Sequence, residues 1–100
     1  MEKSRIEIFT SPTCPHCPGA LELAREVERE REDVEVVELS TLSEEGRTKA
    51  QEFGVMSVPT IFVKGPKHGE ILGFRGAPSK ERLIKAVEIS LGLKKAEELE

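Results

Sequence analysis

Tryptophan and tyrosine are absent from these 100 residues, and four phenylalanines are the only aromatic rings. A stacking platform for single-stranded nucleic acid is therefore disfavoured. A basic face is missing as well. The 15 Lys and Arg are interleaved with 19 Asp and Glu, the net charge is -4, and no positive cluster stands ready to neutralise phosphates. Nucleic acid is thus not an expected partner. No apolar run approaches the roughly 18 residues that span a bilayer, and residues 1–9 lack the apolar centre of a secretory signal. No membrane association is expected, and the chain reads as cytoplasmic. Internal repeats, low-complexity tracts and an interdomain linker are also missing, so 1–100 reads as one domain. Cysteine is scarce: there are two, Cys14 and Cys17. In a reducing compartment a permanent structural disulfide is rare, so the pair calls for a chemical explanation.

What is present has clear periodicity. Residues 5–10 alternate isoleucine with polar side chains and run into Ser11, Pro12 and Thr13, which predicts a strand ending in a turn. From Pro15 to about Arg31, Ala20, Leu21, Ala24 and Val27 recur at helical spacing, and the charges between them read as a solvated face. Val34, Val36, Val37 and Leu39 predict a second strand. Thr41 and Glu44 then have the spacing of a capping box, opening a helix to about Phe53 that Gly54 stops. Ile61, Phe62 and Val63 form an apolar triplet suited to a strand covered on both faces. Residues 65–69 carry turn chemistry, and Ile71 to Phe74 return as the second arm of a hairpin. Residues 76–79 open a last helix with Leu83, Ile84, Val87 and Leu91 at helical spacing and Gly92 at its end; the charged tail 93–100 is expected to fray. Phe53, Phe62 and Phe74 read as core, and Phe9 as lying under the cysteine loop. The order strand, helix, strand, helix, strand, strand, helix belongs to the α/β class, with a sheet screened by helices.

Cys14, Pro15, His16 and Cys17 fall where the first strand hands over to the first helix. Two cysteines so spaced beside a strand-helix-strand pattern read as a redox motif. With Cys14 at the helix N-cap and Cys17 one turn on, the sulfurs can bridge with little backbone change. Unpaired N–H groups and the positive end of the helix dipole favour a Cys14 thiolate, below the free value of about 8.5. Cys14 is therefore expected to attack, and Cys17, deeper in the helix, to resolve the mixed disulfide. Pro15 suits the first helical position, where a missing N–H costs nothing, whereas Pro18 with Gly19 after it predicts an irregular first turn. His16, as a partly protonated imidazole beside Cys14, is expected to stabilise the thiolate and make the disulfide more oxidising. A metal site is the competing reading. Structural zinc takes four ligands, and Cys14, Cys17, His16 and a remote His68 in a turn fall short unless two chains share an ion. No metal and no cofactor beyond the cysteine pair are expected.

These residues, with residues 9–13 before them and Pro18 after, resemble the thioredoxin superfamily, specifically the small archaeal thioredoxin/glutaredoxin-like proteins with a Cys-Pro-His-Cys site. The resemblance covers residues 5–91 and rests on two further stretches, Val55, Met56, Ser57, Val58, Pro59 and Thr60, and residues 73–79. It implies a thioredoxin fold with a central four-stranded mixed sheet flanked by helices. It also implies that Pro59 is the family's cis-proline, and that Val58 and Thr60, with Thr13 and Gly76, line a groove holding substrate backbone against Cys14. Such a kink would aim the Val58 backbone groups at an extended peptide, adding it like a strand. Without the resemblance, an ordinary trans proline at the start of a strand fits Pro59 equally well.

The departures from the family pattern are informative. Thr13 stands where thioredoxins usually carry Trp, and Pro15 with His16 replaces Gly-Pro. Ile8 occupies the place of the buried Asp that assists proton transfer in many thioredoxins, which leaves water or His16 for that task at Cys17. The Pro-His pair is similar to that of bacterial periplasmic disulfide oxidants, whose helical insertion this chain is too short to hold. Residues 76–80 resemble the thioredoxin ending more than the glutathione-binding Gly-Gly and Asp of glutaredoxins, so glutathione is not expected as a dedicated cofactor. The expected activity is thiol–disulfide exchange with protein substrates through a Cys14–Cys17 dithiol/disulfide. The reducing compartment favours a reductase; the residues between the cysteines favour an oxidase or isomerase. The expected partners are protein disulfide substrates and a protein reductase or other electron donor, and the expected state is a monomer.

Overall fold

A computed structural model describes residues 3–65 and 71–93. Seven elements follow in the expected order: β1 (Ser4–Thr10), α1 (Cys17–Glu30), β2 (Val34–Ser40), α2 (Glu44–Glu52), β3 (Thr60–Lys64), β4 (Leu72–Arg75) and α3 (Lys80–Ser90). The strands form one mixed sheet in the order β2-β1-β3-β4, with β1 parallel to β2 and antiparallel to β3, and β3 antiparallel to β4. None of the described helices is long and apolar enough to cross a membrane. Of the expected hairpin turn only Gly65 lies among the described residues; His68 and the tail beyond Leu93 lie outside them.

The core forms where the helical stripe of α1 meets the sheet. Ala20, Ala24 and Val27 are fully buried against Ile6, Ile8, Ile61 and Val63, and α3 closes the same face with Leu83, Ala86 and Val87. The two alanines place little bulk between α1 and the strands, so the helix can lie close to them.

The alternation along β1 suggests one dry face and one wet one, but both are covered. Glu7 is 1% exposed and Phe9 is fully buried. The second face is shielded from the α2 side, where Phe53 meets Phe9 and Phe62 edge-on or tilted, with ring centroids 5.2 to 6.4 Å apart. Of the four phenylalanines only Phe9 is fully buried; Phe53, Phe62 and Phe74 are half-buried. A buried carboxylate needs compensation. Lys64 Nζ lies 2.8 Å from Glu7 Oε1, while Arg5 Nε at 3.0 Å and Lys49 Nζ at 3.7 Å face Oε2. The Arg5 and Lys64 contacts are charge contacts out of line for hydrogen bonds. Lys64 also sits over the Phe53 ring at 4.2 Å.

The second helix starts later than its capping box predicts. Ser43, not Thr41, is the N-cap, its Oγ accepting from Gly46 N–H at 2.9 Å. Thr41 instead continues the sheet, its N–H donating to the Thr10 carbonyl at 2.9 Å. This tight entry explains a glycine in the first turn: a Cβ at Gly46 would run into the Ser40 carbonyl and Ser43 Oγ. Alanine would add about 1 kcal/mol of helix propensity, but overpacking costs about 1–3 kcal/mol, and backbone gives way least. Gly46→Ala is therefore expected to lower stability by about 2 kcal/mol, read as a fall in the urea midpoint at unchanged slope.

Candidate active site

The ends of β1 and β3 bring the site together. Phe9 pairs with Thr60 across the antiparallel ladder, so the loop leaving β1 and the loop entering β3 lie at one end of the sheet. Residues 11–14 form a tight turn in which Cys14 N–H donates to the Ser11 carbonyl at 3.1 Å, and Thr13 N–H donates to Ser11 Oγ at 3.3 Å. Cys14 and Cys17 are joined as a disulfide, with Cα atoms 5.4 Å apart.

The helix opens two residues later than expected. Its N-cap is His16, exposed and without a side-chain cap, and Cys17 is its first residue. Proline explains the shift. Pro18 has no N–H to give the Cys14 carbonyl, so the ladder starts with Ala20 N–H donating to the His16 carbonyl at 3.2 Å. Cys14 therefore precedes the helix instead of capping it, and Pro15 sits in the turn before it. The bridge still holds the Cys14 sulfur at the first turn of α1, at the positive end of its dipole. The two sulfurs differ in access. Cys17 is 3% exposed, while Cys14 is half-buried.

The Val58–Pro59 bond is cis. Pro59 is buried, its carbonyl accepts from Gly76 N–H at 2.8 Å, and Thr60 Oγ1 donates to the Ser57 carbonyl at 2.6 Å. Gly76 takes a positive φ of 78°, which suits a residue without Cβ. Val58 is half-buried and Thr13 exposed, whereas Thr60 is 6% exposed and commits its hydroxyl to its own loop. Thr60 is therefore a brace for the loop more than a wall of a groove. Next to it, Met56 is 89% exposed.

Sequence reasoning missed one side of the site. A cleft of about 370 Å³ is lined by both cysteines, Pro12, Pro18, Leu21 and, from the ends of β1 and β2, Thr10, Glu38 and Ser40. The signal for it was faint. On β2, Val34 and Val36 fill the face toward α1, and Glu38 breaks that apolar series at the end nearest the cysteines. Among the described residues no group of three or more His, Cys, Asp or Glu is placed to hold a metal ion.

Comparison with known proteins agrees with this geometry. The Glutaredoxin family matches residues 6–68. A thioredoxin of Methanocaldococcus jannaschii is 44% identical over 88 residues, covering 88% of this chain and 96% of the relative. A probable thioredoxin of Methanothermobacter thermautotrophicus is 42% identical over 85 residues, covering 82% of this chain and 89% of its own length. Among solved structures, a malaria-parasite thioredoxin-2 superposes with a TM-score of 0.73 at 18% identity, over 87% of this chain and 82% of that one. The structure of MTB dsbF does so with a TM-score of 0.70 at 23% identity, over 92% and 81%. These last two speak to the fold alone.

The brace at Thr60 is open to test. Thr60→Val keeps the shape but removes the part-buried hydrogen bond to the Ser57 carbonyl, at a cost of about 0.5–1.5 kcal/mol. Urea unfolding of the oxidised protein should show that loss, and Thr60→Ser should recover most of it.

Proposed function

This chain belongs to the thioredoxin superfamily, in its glutaredoxin family, and from that premise we propose that it is a reductase of protein disulfides in which Cys14 attacks and Cys17 resolves. Thiol–disulfide oxidoreductase activity follows from the family and from the Cys14–Cys17 bridge. One observation supports the division of labour: the half-buried sulfur precedes the helix, and the buried one lies within it. In this reading the Cys14 thiolate attacks one sulfur of a substrate disulfide, forming a mixed disulfide and releasing the first substrate thiolate. Cys17 then loses its proton and attacks Cys14 Sγ, which closes the Cys14–Cys17 bond and releases the second thiolate. Two electrons pass to the substrate, and a dithiol donor, taken here to be a protein reductase, must reopen the bridge. The pair is its own redox group, so the reading requires no cofactor. The setting it takes is a single domain of residues 1–100, acting as a monomer in the cytoplasm.

The other site residues take supporting roles. Val58, Gly76 and Thr13 border the approach to Cys14 for substrate backbone, with cis-Pro59 and Thr60 shaping that loop. Pro15 fixes the turn between the cysteines. His16, exposed at the N-cap and two residues from Cys14 in the chain, is assigned the support of the Cys14 thiolate.

The reduction potential tests the direction. Equilibration in thiol–disulfide buffers, read by alkylation and intact mass, is expected to give about -230 mV or lower; a value above about -180 mV would make the protein an oxidant or isomerase. His16→Ala should lower the potential by up to about 30 mV, the equivalent of about 1.4 kcal/mol of lost support for the reduced form; an unchanged potential removes His16 from the mechanism. The order of attack is tested separately. Cys17→Ser should accumulate a mixed disulfide between Cys14 and substrate, visible by intact mass, whereas Cys14→Ser should accumulate none.

A further inference from the structure

The cleft beside the disulfide has a charge that the reaction does not use. Its floor is apolar, made by Pro12, Pro18 and Leu21, and Glu38 stands at its rim. Thr10 Oγ1 donates to Glu38 Oε2 at 3.0 Å, which fixes the carboxylate beside the cleft and leaves Oε1 without a hydrogen bond among the described residues. Glu7, Glu22, Glu26, Glu28, Glu30 and Asp33 each have a Lys or Arg within 4 Å, whereas exposed acids such as Glu35, Glu44 and Glu52 have no such cation among the described residues. Glu38 has none among the described residues. Arg47, in the first turn of α2, donates to the Leu42 carbonyl at 3.3 Å.

Building on the reductase reading above, we propose that Glu38 is a specificity-determining residue that selects substrates carrying an arginine or lysine beside the reacting cysteine, by receiving that side chain in this cleft. The chemistry of the cleft matches such a side chain along its length. The methylene stem of Lys or Arg lies on apolar surface while its charged head stays at the wet rim. An arginine fork can meet a carboxylate with two hydrogen bonds, and Glu38 presents a free oxygen for them. Because both cysteines line the same cleft, a residue held there belongs to a segment whose own sulfur is at Cys14. A substrate with Glu or Asp at that position meets repulsion from Glu38, and the chain's net charge of -4 adds to it.

The test uses the reduced full-length protein and three disulfide peptides that differ only in the residue next to the cysteine: Arg, Gln or Glu. At low ionic strength the Arg peptide should exceed the Glu peptide in kcat/KM by about tenfold, from attraction and repulsion of roughly fivefold or less each, with the difference in KM. About 1 M salt, where the Debye length falls to about 3 Å, should bring the ratio close to one. Glu38→Gln should remove the preference, Glu38→Lys should invert it, and Glu38→Asp should keep its sign. Comparing the ratio within each variant separates selection from any general effect on folding or redox chemistry. If wild type reduces all three peptides equally, or Glu38→Gln keeps the Arg preference, the cleft does not select and the reductase reading stands. If wild type reduces none of the three, the reductase reading falls and this inference falls with it.

Discussion

Everything at the site hangs from a strand that is dry on both faces. β1 has a partner on each side and a helical layer on each face, so its last residue, Thr10, delivers the chain to the middle of one end of the sheet and not to a margin. The cysteine loop starts there because there is nowhere else for the chain to go. That burial carries a polar burden. Glu7 is removed from water and is tolerable only because Lys64, Arg5 and Lys49 converge on it; taking away the charge partner of a buried ion costs about 3–5 kcal/mol, whereas exposed pairs such as Arg29 with Glu22 contribute about 0–1 kcal/mol. The Glu7 cluster therefore matters to the integrity of β1, and the many surface pairs matter mainly to solubility.

The unequal burial of the two cysteines follows from the register of α1. Cys17, Ala20, Ala24 and Val27 form one buried stripe at helical spacing, so the Cys17 sulfur is simply the first member of the face that packs on the sheet. Cys14 is off that stripe because the helix has not yet begun. Pro18 enforces this, since without its N–H the α-helical ladder cannot extend back to the Cys14 carbonyl. A sequence with an ordinary residue at 18 could wind one turn earlier and draw Cys14 onto the helix. The proline thus separates an accessible sulfur from a buried one within a spacing of three residues.

Features set by local periodicity were legible before the structure. The seven elements, the α1 stripe and the bridging distance of the cysteine pair all depend on residues close together in the chain. Features set by distant partners were not. Thr41 has the capping-box spacing, yet its N–H pairs with the distant Thr10 carbonyl and Ser43 caps the helix. Glu7 reads as a solvent-facing residue until α2 and Lys64 cover it. Met56 fits equally a gap under its loop or a contact with substrate, and the structure leaves it exposed instead of filling a gap. The cis form of Pro59 was accessible through the family resemblance alone, because no spacing distinguishes it from a trans proline that starts a strand.

The cysteine turn follows β1 and Glu38 lies on β2, and the parallel ladder between these strands sets them side by side. Ile8 pairs with Glu38 and Thr10 with Ser40, which puts Glu38 on the α1 side of the sheet next to the cysteine turn. A slip of one residue would turn Glu38 to the opposite face and bring Val37 or Leu39 to the cleft. Such a slip is opposed further down the same strand, where it would also replace buried Val34 and Val36 with exposed Glu35 and its neighbour. The hydrophobic pattern that holds β2 in place is therefore also what keeps the carboxylate at the cleft. Glu38 itself contributes little to that choice, being exposed and held by one hydrogen bond, so its charge can change without cost to the register. Selection by this residue can thus vary independently of the fold, while Cys17, built into the α1 stripe, cannot.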